Sequence, residues 1–357
     1  MGVYILMWLM IVSFFLLRDK KYSISPNKST EKHNNCIFTF IMCLLLFVSA
    51  FRAEHIGADH INYITEFNVI KDFGDTYFEE KGYVLFNRII AAIFNDSVFL
   101  MVSVSGLIIF SVTHYIKENV NYEYYALALM VFVFQPYLYI QSTFNILRQG
   151  CATAILLFSI HYLFNKKWVK YMVIGCIACT FHLSMVFIIF FLIIVRKINA
   201  TPQLIRFFAI GSLMMNFAKI GNLFFSLFSS HYQTFSSFDE TLFNNPIYLV
   251  AILSVVFYFT SIYSKLYKNV YEKFFVDLFL MSLVFLIFAV QNDILYRVYI
   301  VLAFCTIPSI TIICKNLAEV AFVKRGFVIY YNFFYLGNIF FWYINKIRGY
   351  VPYEFIF

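Results

Sequence analysis

The chain has 357 residues, of which 62% are hydrophobic and 13% are charged, and its mean hydropathy is +0.78. Soluble globular domains carry roughly 25% charged residues, so this composition excludes that class. The net charge of +8 requires no nucleic-acid partner, because basic residues hold the cytoplasmic loops of membrane proteins in place. Apolar runs close to the ~20 residues that cross a bilayer predict an all-α polytopic membrane protein, with roughly 10–13 transmembrane helices.

Apolar runs separated by basic clusters predict the topology in chain order. The first span covers residues 3–17, and the lysine-rich loop that follows it is expected in the cytoplasm. The later spans are predicted at residues 36–51, 97–116, 124–140, 148–164, 204–220, 247–264, 274–290, 294–314 and 327–344, with a pair of short helices in 168–195. No soluble domain interrupts this pattern, so residues 1–357 are predicted to form a single transmembrane domain.

Residues 168–195 are apolar but have basic residues at both ends. A single span would place one of these clusters outside, so the charge pattern favours two short helices that turn at residues 181–184. Each half rises only about 20 Å, which is less than the ~30 Å hydrocarbon core. We therefore expect His182, at the turn, to lie below the external surface and to be sheltered by protein.

Between the second and third spans, residues 52–96 form a polar segment that is expected on the external side. If residues 52–66 are helical, five side chains share one face at helical spacing: Arg52, His55, Asp59, Tyr63 and Glu66. This face has two interpretations. It is either part of a functional site or the solvent-exposed face of a helix that lies at a membrane surface.

Several external side chains have the chemistry to bind an anionic lipid. Arginines are expected on this side at positions 52, 88, 148 and 297, and a guanidinium binds phosphate oxygens bidentately at any pH. The alternative is that each arginine anchors its span at the headgroup level. His182 is a candidate general base, and Asp59, Glu79 and Glu80 are carboxylates that could deprotonate a sugar hydroxyl.

Five short motifs occur in a characteristic order. They are RAEHIGAD at 52–59 with Tyr63, EKGY at 80–83, NILRQ at 145–149, FHLS at 181–184, and Arg297 near the start of a late span. Together they resemble the EpsG-type family of Wzy polysaccharide polymerases. The resemblance extends over residues 51–308 and implies a GT-C-like glycosyltransferase fold.

The resemblance also implies a reaction, in which a growing glycan passes from undecaprenyl diphosphate to a sugar hydroxyl of a second lipid-linked repeat unit. On this interpretation Arg148 and Arg297 hold the diphosphate, Asp59 or His182 accepts the proton, and Arg52 and Glu80 position the partners. The remaining expected substrate contacts are His55, Tyr63, Tyr83, Asn145 and Gln149. We expect no cofactor and no metal, since arginines stabilise the leaving charge. Arg52, Asp59, Arg148, His182 and Arg297 are predicted to converge.

The expected location is the inner membrane of a bacterium, with the site facing the periplasm. The partners are the bilayer and the lipid-linked oligosaccharide, and a chain-length regulator and a flippase of the same pathway are further candidates. Two other functions fit the arginines. One is a flippase or transporter for the same lipid-linked oligosaccharide, although that class favours mid-membrane charges and two related halves. The other is a different integral transferase that uses the same lipid carrier.

Overall fold

A computed structural model describes residues 1–19, 28–74, 80–135, 138–198, 200–217, 246–289, 293–317, 321–344 and 349–357. These residues are helical, apart from turns and a single isolated antiparallel β-bridge between Arg52 and Phe355, which confirms the all-α prediction. The chain divides into two compact units. One contains residues 1–186 and 324–357, and the other contains residues 187–323. The prediction of a single transmembrane domain stays a prediction.

The first unit is built around α5 and α7. Its helices are α1 Gly2–Asp19, α2 Lys28–Ala50, α3 His60–Phe73, α4 Lys81–Phe94, α5 Ser97–Asn119, α6 Tyr125–Phe134, α7 Leu147–Phe164 and α8 Trp168–Phe181. Helix α5 packs against α2 and α7, and α7 packs against α8. A single π-helical turn, Gln141–Asn145, leads into α7.

The second unit is centred on one helix, α12. The remaining helices in chain order are α9 Met185–Lys197, α10 Pro202–Phe217, α11 Pro246–Ser261, α12 Val270–Ala289, α13 Asp293–Cys305, α14 Ile307–Asn316 and α15 Ala321–Ile344. Helix α12 packs against α10, α11, α13 and α14. Helices α9 and α15 each begin in one unit and end in the other. The predicted external loop at 221–246 lies almost entirely outside the described residues.

Two helices of the described chain are long and apolar enough to cross a bilayer, within Glu31–Ala50 and Ser97–Asn119. A third span results if Leu295–Cys305 and Ile307–Asn316 are counted together, although they are bent by 50° at the break between them. That break falls inside the predicted span at 294–314. Pro308 explains it, because proline lacks the backbone N–H and clashes with the preceding turn. The count of 10–13 spans is therefore not confirmed.

The predicted helix over residues 52–66 is wrong in its first half, since α3 begins only at His60. Gly57 has φ +106°, and a Cβ there would lie 2.6 Å from the Phe144 carbonyl oxygen, so only glycine fits this backbone. The Gly57 N–H donates to the Gly349 carbonyl at 3.1 Å, and the loop pairs with the chain's last residues instead of coiling. The proposed common face of Arg52 through Glu66 therefore does not form.

The predicted break at residues 181–184 is confirmed. Helix α8 ends at Phe181 and α9 begins at Met185, which leaves His182 at the C-cap of α8 in an extended conformation. Only 14% of the His182 side chain is exposed. The turn thus presents a largely sheltered imidazole at a helix end.

Candidate functional site

Three side chains from separate segments of the first unit meet in one ionic cluster. Glu80 is the N-cap residue of α4, Arg148 is the second residue of α7, and His182 follows the last residue of α8. An Arg148 terminal N–H donates to Glu80 Oε2, and His182 Nδ1 lies 3.2 Å from Glu80 Oε1. One carboxylate therefore joins a cation and an imidazole; Glu80, Arg148 and His182 are called the Glu80 cluster below.

A close helix contact brings two members of this cluster together. Gly82, in the first turn of α4, lies so near Thr180 in the last turn of α8 that a Cβ would fall 2.0 Å from its Oγ1. The Thr180 hydroxyl donates to the Ile177 carbonyl at 2.7 Å, which holds it in this position. Because the contact lies two residues from both Glu80 and His182, it sets their separation.

The electrostatics of the Glu80 cluster favour an ionised carboxylate. Burial raises the pKa of Glu80, but the hydrogen bond with His182 and the charge of Arg148 outweigh it, so the pKa is lowered from its ordinary value. The side chains are 15% exposed at Glu80 and 28% at Arg148, so a ligand can reach the cluster without unfolding it. The arrangement provides an anion-binding guanidinium beside an oriented imidazole.

Two tyrosines extend the cluster. The Tyr63 hydroxyl accepts a hydrogen bond from the Arg148 side chain, and burial raises the pKa of Tyr63 although Arg148 opposes this. Tyr83 packs edge-on against Tyr63 at 6.0 Å and against Phe181 at 6.5 Å between ring centroids. Asp59 is exposed, and its charge acts on Tyr63. The expected residues Tyr63, Tyr83 and Asp59 thus lie on the side of the cluster formed by α3 and α4.

The polar residues around Arg148 fix the start of α7. Asn145 ends the π-helical turn and donates through Nδ2 to Gln141 Oε1 at 2.8 Å. Tyr350, from the C-terminal segment, donates to the same Gln141 oxygen at 3.2 Å. Asn145 and Gln149 are both buried, at 5% and 3% exposure, so little of either side chain is open to a large ligand.

Arg52 makes its contacts elsewhere in the first unit. It is 2% exposed, and its guanidinium donates to the Ser49 and Ile56 carbonyls and lies 4.8 Å from the centroid of the Phe144 ring. Burial lowers the pKa of Arg52 to about 10. His55 is half-exposed and pairs with Glu354 at 3.6 Å. The structure therefore does not bring Arg52 and His55 into the Glu80 cluster.

Arg297 lies in α13 of the second unit and is partly buried. Its expected convergence with Arg148 stays a prediction, and Glu79 lies outside the described residues. Among the residues that the structure describes, no three His, Cys, Asp or Glu side chains are arranged to hold a metal ion.

Sequence reasoning missed two features of this unit. It gave Glu80 the role of positioning the partners but did not predict that its carboxylate contacts both Arg148 and His182, as the structure shows. It also missed the C-terminal segment, where Ala53 N–H donates to the Glu354 carbonyl and Ile356 N–H donates to the Phe51 carbonyl. Gly82 was a signal for the place of Glu80, because a glycine in the first turn of a helix indicates that another segment packs closely against it. No local pattern indicated the second.

Comparison with known protein families identifies the family of this chain. Residues 35–355 match the sequence model of the EpsG family, which is a family of Wzy-type polymerases. This range contains the Glu80 cluster, the π-helical turn, Arg297 and the paired segments at 51–57 and 349–355. No curated protein and no solved structure matches the chain.

Proposed function

Because the chain belongs to the EpsG family, we propose that it is a membrane glycosyltransferase that polymerises lipid-linked oligosaccharide repeat units. The donor is a glycan on undecaprenyl diphosphate, and the acceptor is a sugar hydroxyl on a second lipid-linked unit. The observation that carries this proposal is the Glu80 cluster, in which family motifs distant in sequence supply a guanidinium and an imidazole on one carboxylate.

Arg148 binds the diphosphate of the donor. Its planar fork matches phosphate oxygens and remains cationic, so it stabilises the negative charge that develops on the leaving group. In the structure Glu80 and Tyr63 hold this guanidinium in place. We propose that Arg297 contributes a second guanidinium to the same diphosphate.

His182 removes the proton from the acceptor hydroxyl. Glu80 at Nδ1 selects the tautomer whose Nε2 carries the lone pair, as required of a general base. The acceptor oxygen forms a bond to the anomeric carbon while the bond from that carbon to the diphosphate breaks. The proton passes to Nε2, and the electron pair leaves with undecaprenyl diphosphate. Asp59 is the alternative base, although it is exposed and its charge acts on Tyr63, which is hydrogen-bonded to Arg148.

The reaction requires no metal ion or cofactor in this scheme, since Arg148 and Arg297 balance the leaving charge. We propose that the protein works in the bacterial inner membrane, has a GT-C-like arrangement, and opens its site to the periplasm. A chain-length regulator and a flippase are its proposed pathway partners. A flippase for the same oligosaccharide, or another transferase that uses the same carrier, is the alternative function.

Deletion in the native host tests the proposal through the length of the surface glycan. If the protein is a polymerase, the deletion should remove the long chains and leave single repeat units. Loss of all surface repeat units would indicate a flippase. Complementation with Arg148→Ala or His182→Ala should leave single units. Matched controls are Arg88→Ala, an exposed arginine of α4, and His114→Ala, a half-exposed histidine of α5. Full chain length with both site variants would contradict the assignment.

A further inference from the structure

The second unit contains an apolar cavity of about 290 Å³ between α9, α10 and α12. Its lining residues include Ile194, Ile198, Phe208, Ser212, Asp277 and Val284. Apart from Ser212 and Asp277 every lining residue is apolar. The cavity lies wholly within residues 187–323 and includes none of the residues assigned to the proposed reaction.

The polar groups of the wall are already satisfied. Asp277 accepts hydrogen bonds from the Tyr263 hydroxyl and, at 2.7 Å, from Lys273 Nζ, and both donors also reach the Ala200 carbonyl, at 3.2 and 3.3 Å. The Ser212 hydroxyl donates to the Phe208 carbonyl at 2.8 Å. The wall therefore offers no unmet hydrogen bond to a charged or polar ligand, and it offers few partners to water.

The cavity opens onto a hydrophobic surface. Three of its lining residues are large, apolar and also exposed: Ile194 at 49%, Ile198 at 45% and Phe208 at 45%. Neighbouring positions on α10 are exposed and apolar as well, including Phe207 at 70% and Ile210 at 43%. In a chain of this composition such a surface faces lipid, so a lipid chain can reach the cavity from the side.

We propose that this cavity binds one aliphatic lipid chain. An engineered apolar cavity of about 150 Å³ stays dry and takes up apolar molecules, and this cavity is about twice that size. The Asp277 carboxylate in the wall is already paired with Lys273, and the chain enters past the exposed Ile194 and Phe208 with its terminal methyl groups inside. A phospholipid acyl chain and a polyprenyl chain share this chemistry.

Photochemical labelling tests the proposal on the full-length protein. The protein is reconstituted in phosphatidylethanolamine and phosphatidylglycerol vesicles that contain a phospholipid with a diazirine in its acyl chain, and labelled peptides are mapped by mass spectrometry. We expect adducts on peptides covering residues 191–200 and 277–288. Labelling of the exposed α1 residues Leu6 and Leu17 provides the internal reference for ordinary boundary lipid.

A matched pair of variants distinguishes the cavity from the outer surface. Ser212 and Ser254 each donate to the carbonyl four residues earlier at 2.8 Å, but only Ser212 lines the cavity. Ser212→Trp should reduce the cavity adducts at least fivefold relative to the α1 reference, and Ser254→Trp should not. Val284→Phe fills the cavity from α12 and should act like Ser212→Trp, which keeps the test valid if one variant fails to fold.

Two results would overturn the site: no adducts on residues 191–200 and 277–288, or adducts that both filling variants leave unchanged. Competition identifies the source of the chain. If unlabelled polyprenyl phosphate displaces the probe at amounts well below those of the phospholipid, the site binds a polyprenyl chain. If unlabelled phospholipid displaces the probe equally well, the site binds an acyl chain. Both displacements support an aliphatic ligand, and neither depends on polymerase activity.

Discussion

Arg148 and Arg52 belong to the same unit and to motifs of the same family, yet their surroundings are opposite. Arg148 is 28% exposed and faces a carboxylate, whereas Arg52 is 2% exposed and is held by backbone carbonyls, the Met101 sulfur and an aromatic ring. A guanidinium next to a carboxylate on an accessible surface is ready to bind a ligand. A guanidinium enclosed by carbonyls donates several hydrogen bonds at once and so stabilises the surrounding backbone.

The Arg52 region is also where the chain's last residues return. The backbone at Ala53 and Phe51 pairs with Glu354 and Ile356, and the Tyr353 hydroxyl donates to the Val48 carbonyl. Phe47 lies 5.5 Å from Phe355 between ring centroids. The two arginines therefore differ in what their contacts support: Arg52 holds the loop before α3, whereas Arg148 is the arginine for which we propose a role in the reaction.

Replacing each arginine by lysine should separate these functions most sharply. Arg148→Lys retains the charge but loses the bidentate fork, so we expect polymerisation to fall roughly 100-fold, about 2.7 kcal/mol of transition-state stabilisation. The melting temperature should change little, because the side chain is partly exposed. In vitro chain extension and thermal unfolding of the purified protein measure the two quantities. Near-normal chain extension by Arg148→Lys would show that bidentate binding by the guanidinium is not required for the reaction.

Arg52→Lys should show the reverse pattern. One ammonium cannot reach the Ser49 and Ile56 carbonyls and the Phe144 ring together, so buried acceptors lose their donors. We expect the free energy of unfolding to fall by roughly 2–4 kcal/mol, with activity reduced only in proportion to the folded fraction. A stable Arg52→Lys protein without activity would instead place Arg52 in the reaction.

The contact between Gly82 and Thr180 allows a test of geometry without changing a charged group. Gly82→Ala places a methyl group against Thr180 and should move Glu80 away from His182, which lowers activity by roughly 10- to 100-fold. Thr180→Gly removes the Oγ1 and Cβ that lie 2.0 and 2.7 Å from the new methyl group but leaves the Thr180 backbone carbon at 2.9 Å, so the double variant should recover part of the activity. Gly106→Ala is the control, since no atom lies within 4 Å of its Cβ position. Equal losses in the single and double variants would rule out positioning by this contact.

The lowered pKa of Glu80 predicts a pH dependence of stability. A carboxyl whose folded-state pKa lies below its ordinary value of 4.5 stabilises the fold above that value and loses this contribution as the pH falls through the folded-state pKa. We expect the stability difference between wild type and Glu80→Gln to be fully present above the ordinary pKa of 4.5 and to shrink as the pH falls below that value. Thermal unfolding across this range measures it, and a difference that grows on acidification would contradict the assigned direction.

Patterns local in sequence predicted the helical class and the break at 181–184, and they marked Arg148 and His182 as candidates, but they did not predict that both contact Glu80. The basic residues at both ends of residues 168–195 were sufficient to predict the break. A single span would place one of the two basic clusters outside, and basic clusters favour the cytoplasmic side. The loop before α3 was included in the predicted helix at 52–66 because spacing alone ignores Gly57, which has φ +106° and whose Cβ position lies 2.6 Å from the Phe144 carbonyl oxygen. Its pairing with residues 349–356 joins segments about 300 residues apart, and no local pattern encodes such a contact.

The smallest expected effect concerns the ion pair at the end of the Arg52 region. His55 and Glu354 lie 3.6 Å apart with about half of each side chain exposed, and such pairs contribute 0–1 kcal/mol. Glu354→Gln leaves the backbone bonds and the aromatic contacts of this segment intact, so the free energy of unfolding should change by less than about 0.5 kcal/mol. Chemical unfolding in detergent at low and high salt measures it. A loss comparable to that of Arg52→Lys would mean that the charge, and not the backbone pairing, holds the segment to the loop.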